Sequence, residues 1–175
     1  MLTHLQLKDL VIVDQTELEL NPGMTALTGE TGAGKSIVVD ALLLIAGGRA
    51  GSDIVRQGAE RAEVTASFAQ LPKSAVQWLN AQSVDFDGEL VIRRVIGADG
   101  RSRAYVNGQV MPLQALRELS EYLLEIHGQQ EFQRLVSRAA QRDLLLALDF
   151  RLMVAEHWSH RGGGLDQRLR VDIGR

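Results

Sequence analysis

Cysteine is absent from the 175 residues, which excludes disulfide frameworks, thiolate metal sites and cysteine nucleophiles. Histidine is scarce, with four scattered residues, and offers no His-rich zinc pattern. Aromatics make up only 5%, so no stacking platform emerges from the pattern; Trp78 reads as a core residue. No apolar run approaches the roughly 20 residues of a bilayer span. Met1 is followed by Leu2-Thr3-His4, not by a basic and then apolar leader. These absences predict a soluble, cytoplasmic chain with no membrane partner. The net charge of −3 rules out a polycation, so contact with nucleic acid would need a local patch or a partner. Lysine is rare too: Lys8, Lys35 and Lys73 stand among 19 cationic residues.

What is present suits one globular domain. Hydrophobic residues reach 45%, charged residues 23%, and mean hydropathy is −0.05. Alternation of apolar and polar residues predicts strands over about 2–8 and 11–20, the second closed by Asn21-Pro22-Gly23. A short apolar strand follows over 24–28. Residues 37–46 are apolar almost all round and predict a deeply buried helix, stopped by Gly47-Gly48. A strand over 61–69, a helix over about 72–81 and a hairpin over 90–106 come next, with Asp99-Gly100 as turn chemistry. Asn107-Gly108 marks a second tight turn. Residues 112–119 read as a helix and 122–126 as a short buried strand ending at His127-Gly128. From 151 onward no periodicity survives, and Gly162-Gly163-Gly164 interrupts the chain. The expectation is a lobe over 1–150 and a poorly ordered tail over 151–175.

One segment carries chemistry. Gly29-x-x-x-x-Gly34-Lys35-Ser36 fits the P-loop pattern, between a short buried strand and an apolar helix. Glycines let successive backbone N–H groups curl toward phosphates, lysine reaches the β/γ oxygens, and the serine hydroxyl ligates Mg²⁺. The helix start adds its positive end to the anion site. With this composition the pattern arises by chance in roughly two such chains per thousand. The predicted ligands are ATP and Mg²⁺.

A P-loop alone names no reaction. No lysine follows an asparagine, so the Asn-Lys-x-Asp guanine reader is missing. A full ATPase also needs an acidic residue at a strand end and a carboxylate near the attacking water. Leu144-Leu145-Leu146-Ala147-Leu148-Asp149 is the nearest imitation, but its surroundings are helical in composition and Phe150 stands where a catalytic Glu belongs. Val11-Ile12-Val13-Asp14 precedes the P-loop and serves no better. The chain reads as half an active site. A non-catalytic nucleotide-binding or interaction module, and a small self-contained P-loop kinase or NTPase, remain as alternatives.

Thr28-Gly29-Glu30-Thr31-Gly32-Ala33-Gly34-Lys35-Ser36-Ile37 resembles the Walker A of the bacterial RecN family, DNA repair relatives of the structural-maintenance-of-chromosomes (SMC) ATPases. Gly47-Gly48-Arg49-Ala50, Val55-Arg56-x-Gly58, Asp99-Gly100-Arg101-Ser102-Arg103, Val106-Asn107-Gly108 and Glu125-Ile126-His127-Gly128-Gln129 match further, in family order, over about residues 1–150. The resemblance implies an α/β P-loop NTPase fold of the ABC/SMC head type, amino-terminal lobe only, with a mixed sheet and a buried P-loop helix. It implies that residues 29–37 bind nucleotide, with Lys35 on the triphosphate and Ser36 on Mg²⁺. Gln129 would be the Q-loop residue that touches Mg²⁺ and the attacking water. His127 reads as structural. Arg49 and Arg56 lie where related heads place an arginine directed at nucleotide or at the partner head.

The family's coiled coil, signature sequence, Walker B and catalytic glutamate do not occur in the 175 residues. A truncated or frame-shifted product fits that pattern. The expected partners are a complementary carboxy-terminal lobe or a second head, as in a homodimer, and DNA, with a place in the nucleoid. Arg93, Arg94, Arg101 and Arg103 on the predicted hairpin form a candidate basic strip for DNA.

Overall fold

The computed structural model describes residues 1–28, 33–126, 152–155 and 168–173. Nine strands and three helices alternate along these segments. They are β1 (Leu2–Leu10), β2 (Val13–Glu19), β3 (Met24–Thr28), α1 (Ala33–Ile45), β4 (Arg61–Ala69), α2 (Lys73–Ala81), β5 (Glu89–Gly97), β6 (Ser102–Val106), β7 (Gln109–Met111), α3 (Leu113–Ser120), β8 (Leu152–Ala155) and β9 (Arg168–Ile173). A single 3₁₀ turn, Ser52–Ile54, lies between α1 and β4.

Six strands form one sheet in the order β2-β1-β4-β5-β6-β7. Its inner face is written in the period of two: Leu5, Leu7 and Leu10 on β1, Val64, Ala66 and Phe68 on β4, Ile92 and Ile96 on β5 are all essentially inaccessible. The helices lie over this face, with Leu42 and Ile45 of α1, Leu79 of α2, and Leu116 and Leu119 of α3 completing one core. Each such Val, Leu, Ile or Phe side chain contributes about 1.5–3 kcal/mol on burial. Every pairing among the described strands is antiparallel, where a mixed sheet was expected. Short turns link β1 to β2, β5 to β6 and β6 to β7, and such links permit only antiparallel neighbours. Asn107 (φ 46) and Gly108 (φ 81) supply the two left-handed residues of the β6–β7 turn, as Asn-Gly does in a type I′ hairpin.

A second, three-stranded sheet has the order β3-β9-β8. Here β3 pairs with β9 from Met24↔Asp172 to Thr28↔Arg168. Two strands thus arise in the tail for which the sequence carries no pattern.

Two expectations need correction. Residues 122–126 do not form a buried strand: the chain keeps turning after α3, with Tyr122 N–H donating to Leu119 O and Leu124 N–H to Ser120 O, and Tyr122 is exposed. Leu123 and Leu124 are buried all the same. α1 is not buried on all sides either. Ser36, Asp40 and Leu43, at helical spacing, leave one exposed stripe opposite the core-facing Ile37, Ala41, Leu42 and Ile45.

Candidate functional site

The P-loop occupies the junction its chemistry requires. β3 ends at Thr28 and α1 begins at Ala33, so the motif runs from the end of a strand to the start of a helix. Gly29, Glu30, Thr31 and Gly32 lie outside the described residues. Ala33, Gly34 and Lys35 form the start of α1, where backbone N–H groups have no intrahelical acceptor. Ser36 is exposed, so its hydroxyl is open to a ligand. Ile37 is only 3% exposed and faces the core, which leaves its backbone N–H as the group able to meet a phosphate. No acidic residue sits in the first turn of α1 to compete with an anion. An open hydroxyl beside an uncompensated helix start fits a triphosphate with its Mg²⁺. Among the described residues no cluster of three His, Asp or Glu could hold a metal by itself. Gln129, His127 and Asp149 lie outside the described residues.

The far end of α1 is anchored by chemistry that the motif does not reveal. Gly47, at φ +81, donates to Leu44 O (3.1 Å), and Gly48 N–H reaches Leu43 O (2.8 Å), the paired bonds of a Schellman cap. Three side chains satisfy neighbouring carbonyls. Arg94 Nη1 donates to Leu44 O (3.2 Å), Ser120 Oγ to Ala46 O (3.2 Å) and Arg117 Nε to Gly47 O (2.9 Å). Two cations at a helix C-terminus oppose its negative end favourably. Helix α1 is thereby tied to β5 and α3.

Arg94 corrects the expected basic strip. It shares the parity of Leu90, Ile92 and Ile96, so it points into the core and is fully buried. Its Nη2 donates to Ser102 Oγ (3.1 Å), while its Nε has no partner among the described residues. Burial, and then the charge of Arg117, lower its pKa from the ordinary arginine value. Arg94 therefore cannot meet DNA. Arg93 points outward, 3.3 Å from Glu63 and with its guanidinium 4.6 Å from the Tyr105 ring centre. Arg101 pairs loosely with Asp99 at 3.6 Å, and Arg103 is exposed.

The two arginines after α1 separate clearly. Arg56 donates Nε and Nη2 to Asp9 Oδ1 (2.9 and 2.6 Å) and Nη2 to Asp14 Oδ1 (2.9 Å). The hydrogen bond to Asp9 holds its guanidinium charged, raising a pKa that is already high. Arg56 N–H also donates to Asp9 O, and Val11 N–H to Ile54 O, so this loop is stitched onto the β1–β2 turn. Arg56 is a structural clamp. Arg49 is exposed and has no ion pair among the described residues. It follows the C-terminal end of α1, a helix of 13 residues and about 20 Å.

Residues 4–102 match the family model described as AAA domain. The chain is 48% identical over 146 residues to the DNA repair protein RecN of Xylella fastidiosa (strain Temecula1), covering 83% of this chain and 26% of that protein. It is 44% identical over 147 residues to RecN of Vibrio cholerae, with 83% and 26% covered. The chain thus spans about a quarter of the length of these curated relatives, and corresponds to their N-terminal part. Among solved structures, an SMC ATPase characterised for ATP-driven dimerization and DNA-stimulated activation superposes with a TM-score of 0.60 at 24% identity, covering 83% of this chain and 97% of that one. The fold is that of an ABC/SMC-type ATPase head, in its amino-terminal lobe. By the match across more than half its length, the chain belongs to the AAA domain family of P-loop proteins.

Proposed function

We propose that this chain is the nucleotide-binding half of an SMC-like head ATPase that serves the repair of DNA double-strand breaks. The observation that carries the reading is the coincidence of Gly29–Ser36 with the β3–α1 junction, in a chain similar to RecN proteins. In it Lys35 offsets charge on the β/γ-phosphates of ATP and backbone N–H groups from residues 29–37 cradle them. Ser36 and Gln129 would hold Mg²⁺, which would offset further charge on the triphosphate when bound. Gln129 also orients the attacking water. Residues 1–150 act as the lobe and 151–175 as an appendage to it. The chemistry is incomplete within these residues, because phosphoryl transfer needs its developing charge offset from several sides at once. The missing groups come from a complementary carboxy-terminal lobe or a second head, in the cytoplasm and at the nucleoid. Titration of Mg²⁺-ATP into the protein and into Lys35→Ala tests the site. Saturable binding that the substitution weakens at least tenfold supports it; equal affinity overturns it.

A further inference from the structure

Among the described residues two polar side chains are buried, Arg94 and Ser120, and both reach carbonyls at the C-terminal end of α1. Arg94 is the one charged side chain in that core, and it has no ion pair among the described residues. The charge that acts on it is that of Arg117, of the same sign. A guanidinium taken out of water without a counter-charge is costly. Capping α1 does not demand it. Leu44 O already accepts from Gly47 N–H (3.1 Å) and Leu43 O from Gly48 N–H (2.8 Å), so the backbone closes the helix unaided. Ser120 is the lighter hold, because its single hydroxyl proton is shared between Arg117 O (2.7 Å) and Ala46 O (3.2 Å). Arg94 instead bridges Leu44 O (3.2 Å) and Ser102 Oγ on β6 (3.1 Å), and its planar fork fixes both directions at once.

What this bridge adds is register. α1 rests on β4 and β5 through apolar residues that include Ile37, Ala41, Leu42 and Ile45. Apolar contact is non-directional, whereas a hydrogen bond weakens steeply as its angle departs from linear. A helix of 13 residues is a stiff rod of about 20 Å, so a shift at Leu44 reappears at the first turn, where Lys35 and Ser36 stand. Groups that grip a ligand must hold their places to about 0.5 Å. We propose that Arg94 is a positioning residue for nucleotide, fixing the axial register of α1 against β5 and β6 and thereby the place of the helix start that meets the phosphates. The proposal rests on the P-loop reading and extends that site to a side chain at the opposite end of the helix, one that touches no ligand. A charge held in an apolar core against its desolvation cost then serves the site and not stability.

The test is calorimetric titration of Mg²⁺-ATP into the full chain and into Arg94→Met, Ser102→Ala, the double variant, and Ile92→Val. Ile92 is a core position on the same face of β5 and touches none of these bonds. Urea titration first establishes that each protein is at least about 90% folded, since that fraction alone lowers apparent affinity by only about a tenth. Arg94→Met should bind at least about fivefold more weakly, because misplacement by a fraction of an ångström is felt at the phosphates. Ser102→Ala, which frees one arm of the fork, should lose about twofold, and nothing further in the Arg94→Met background. Ile92→Val should match wild type. Arg94→Met binding within twofold of wild type overturns the proposal, as does an equal loss in Ile92→Val, which would make general loosening of the core the cause. A Ser102→Ala effect that persists in the double variant overturns the route through Arg94. If Arg94→Met does not fold, Ser102→Ala decides alone, and unchanged affinity overturns the proposal. Failure of wild type to bind ATP rejects the P-loop reading and this proposal with it, whereas wild-type binding that Arg94→Met leaves intact rejects this proposal only.

Discussion

The six-stranded and three-stranded sheets are built by different routes. In the larger sheet, hairpins join β1 to β2, β5 to β6 and β6 to β7, and only β1–β4 and β4–β5 require longer excursions. In the smaller sheet β3, the strand that delivers the P-loop, finds its partner at the far end of the sequence, Thr28 lying opposite Arg168. Local pairings close small loops at low entropic cost, whereas distant ones form only after most of the chain is in place. The buried residues described in the core run from Leu2 to Leu124, and that core belongs to the larger sheet and its helices. Stability and nucleotide chemistry are thus separated: the six-stranded sheet carries the first and positions α1, while β3 contributes to the second.

The largest effect that would probe this division comes from the centre of the larger sheet. Phe68 is fully buried on β4, opposite Leu2 and Leu90. Phe68→Ala should cost about 3–5 kcal/mol in a urea titration, with the slope unchanged. A cost below about 1 kcal/mol would mean that the core lies elsewhere. A smaller effect is expected at the other end of the comparison. Deleting residues 151–175 removes β8 and β9 but none of the described core, so the thermal midpoint should move by only about 3 °C. Affinity for Mg²⁺-ATP should fall a few-fold in the same protein, because β3 loses its hydrogen-bonded neighbour. A large drop in midpoint would merge the two regions into one cooperative unit.

The same division governs what could be read from the sequence. β4 reads as a strand over 61–69, as observed, because Ala62, Val64, Ala66 and Phe68 alternate with polar residues. The turns Asp99-Gly100 and Asn107-Gly108 reveal themselves through residues that accept positive φ. The P-loop is legible because its chemistry restricts residue types at fixed spacing. Arg94 was legible in principle, since it occupies the inward parity of β5, but its charge argued for solvent and outweighed the pattern. The carbonyl of α1 that receives it lies fifty residues earlier in the chain, at Leu44, so no local signal announces the bond. The β3–β9 pairing is hidden for the same reason of distance. Residues 122–126 misled because Leu123 and Leu124 are apolar and buried, and short apolar runs do not distinguish a strand from a turn that packs.

Hydrolysis is the most direct test of the half-site. The chain offers Lys35 and Ser36 at the start of α1, and its sequence carries no match to the family's Walker B or signature motif. Removing one catalytic group commonly costs a hundredfold or more, and several are missing together. The decisive measurement is steady-state phosphate release by the 175-residue chain at ATP concentrations that saturate it, with Lys35→Ala as the contamination control. The account predicts identical, background release from both proteins even though only the wild type binds ATP. Robust Lys35-dependent turnover by the chain alone would contradict it and make Asp149, or another carboxylate of this chain, a Walker B residue.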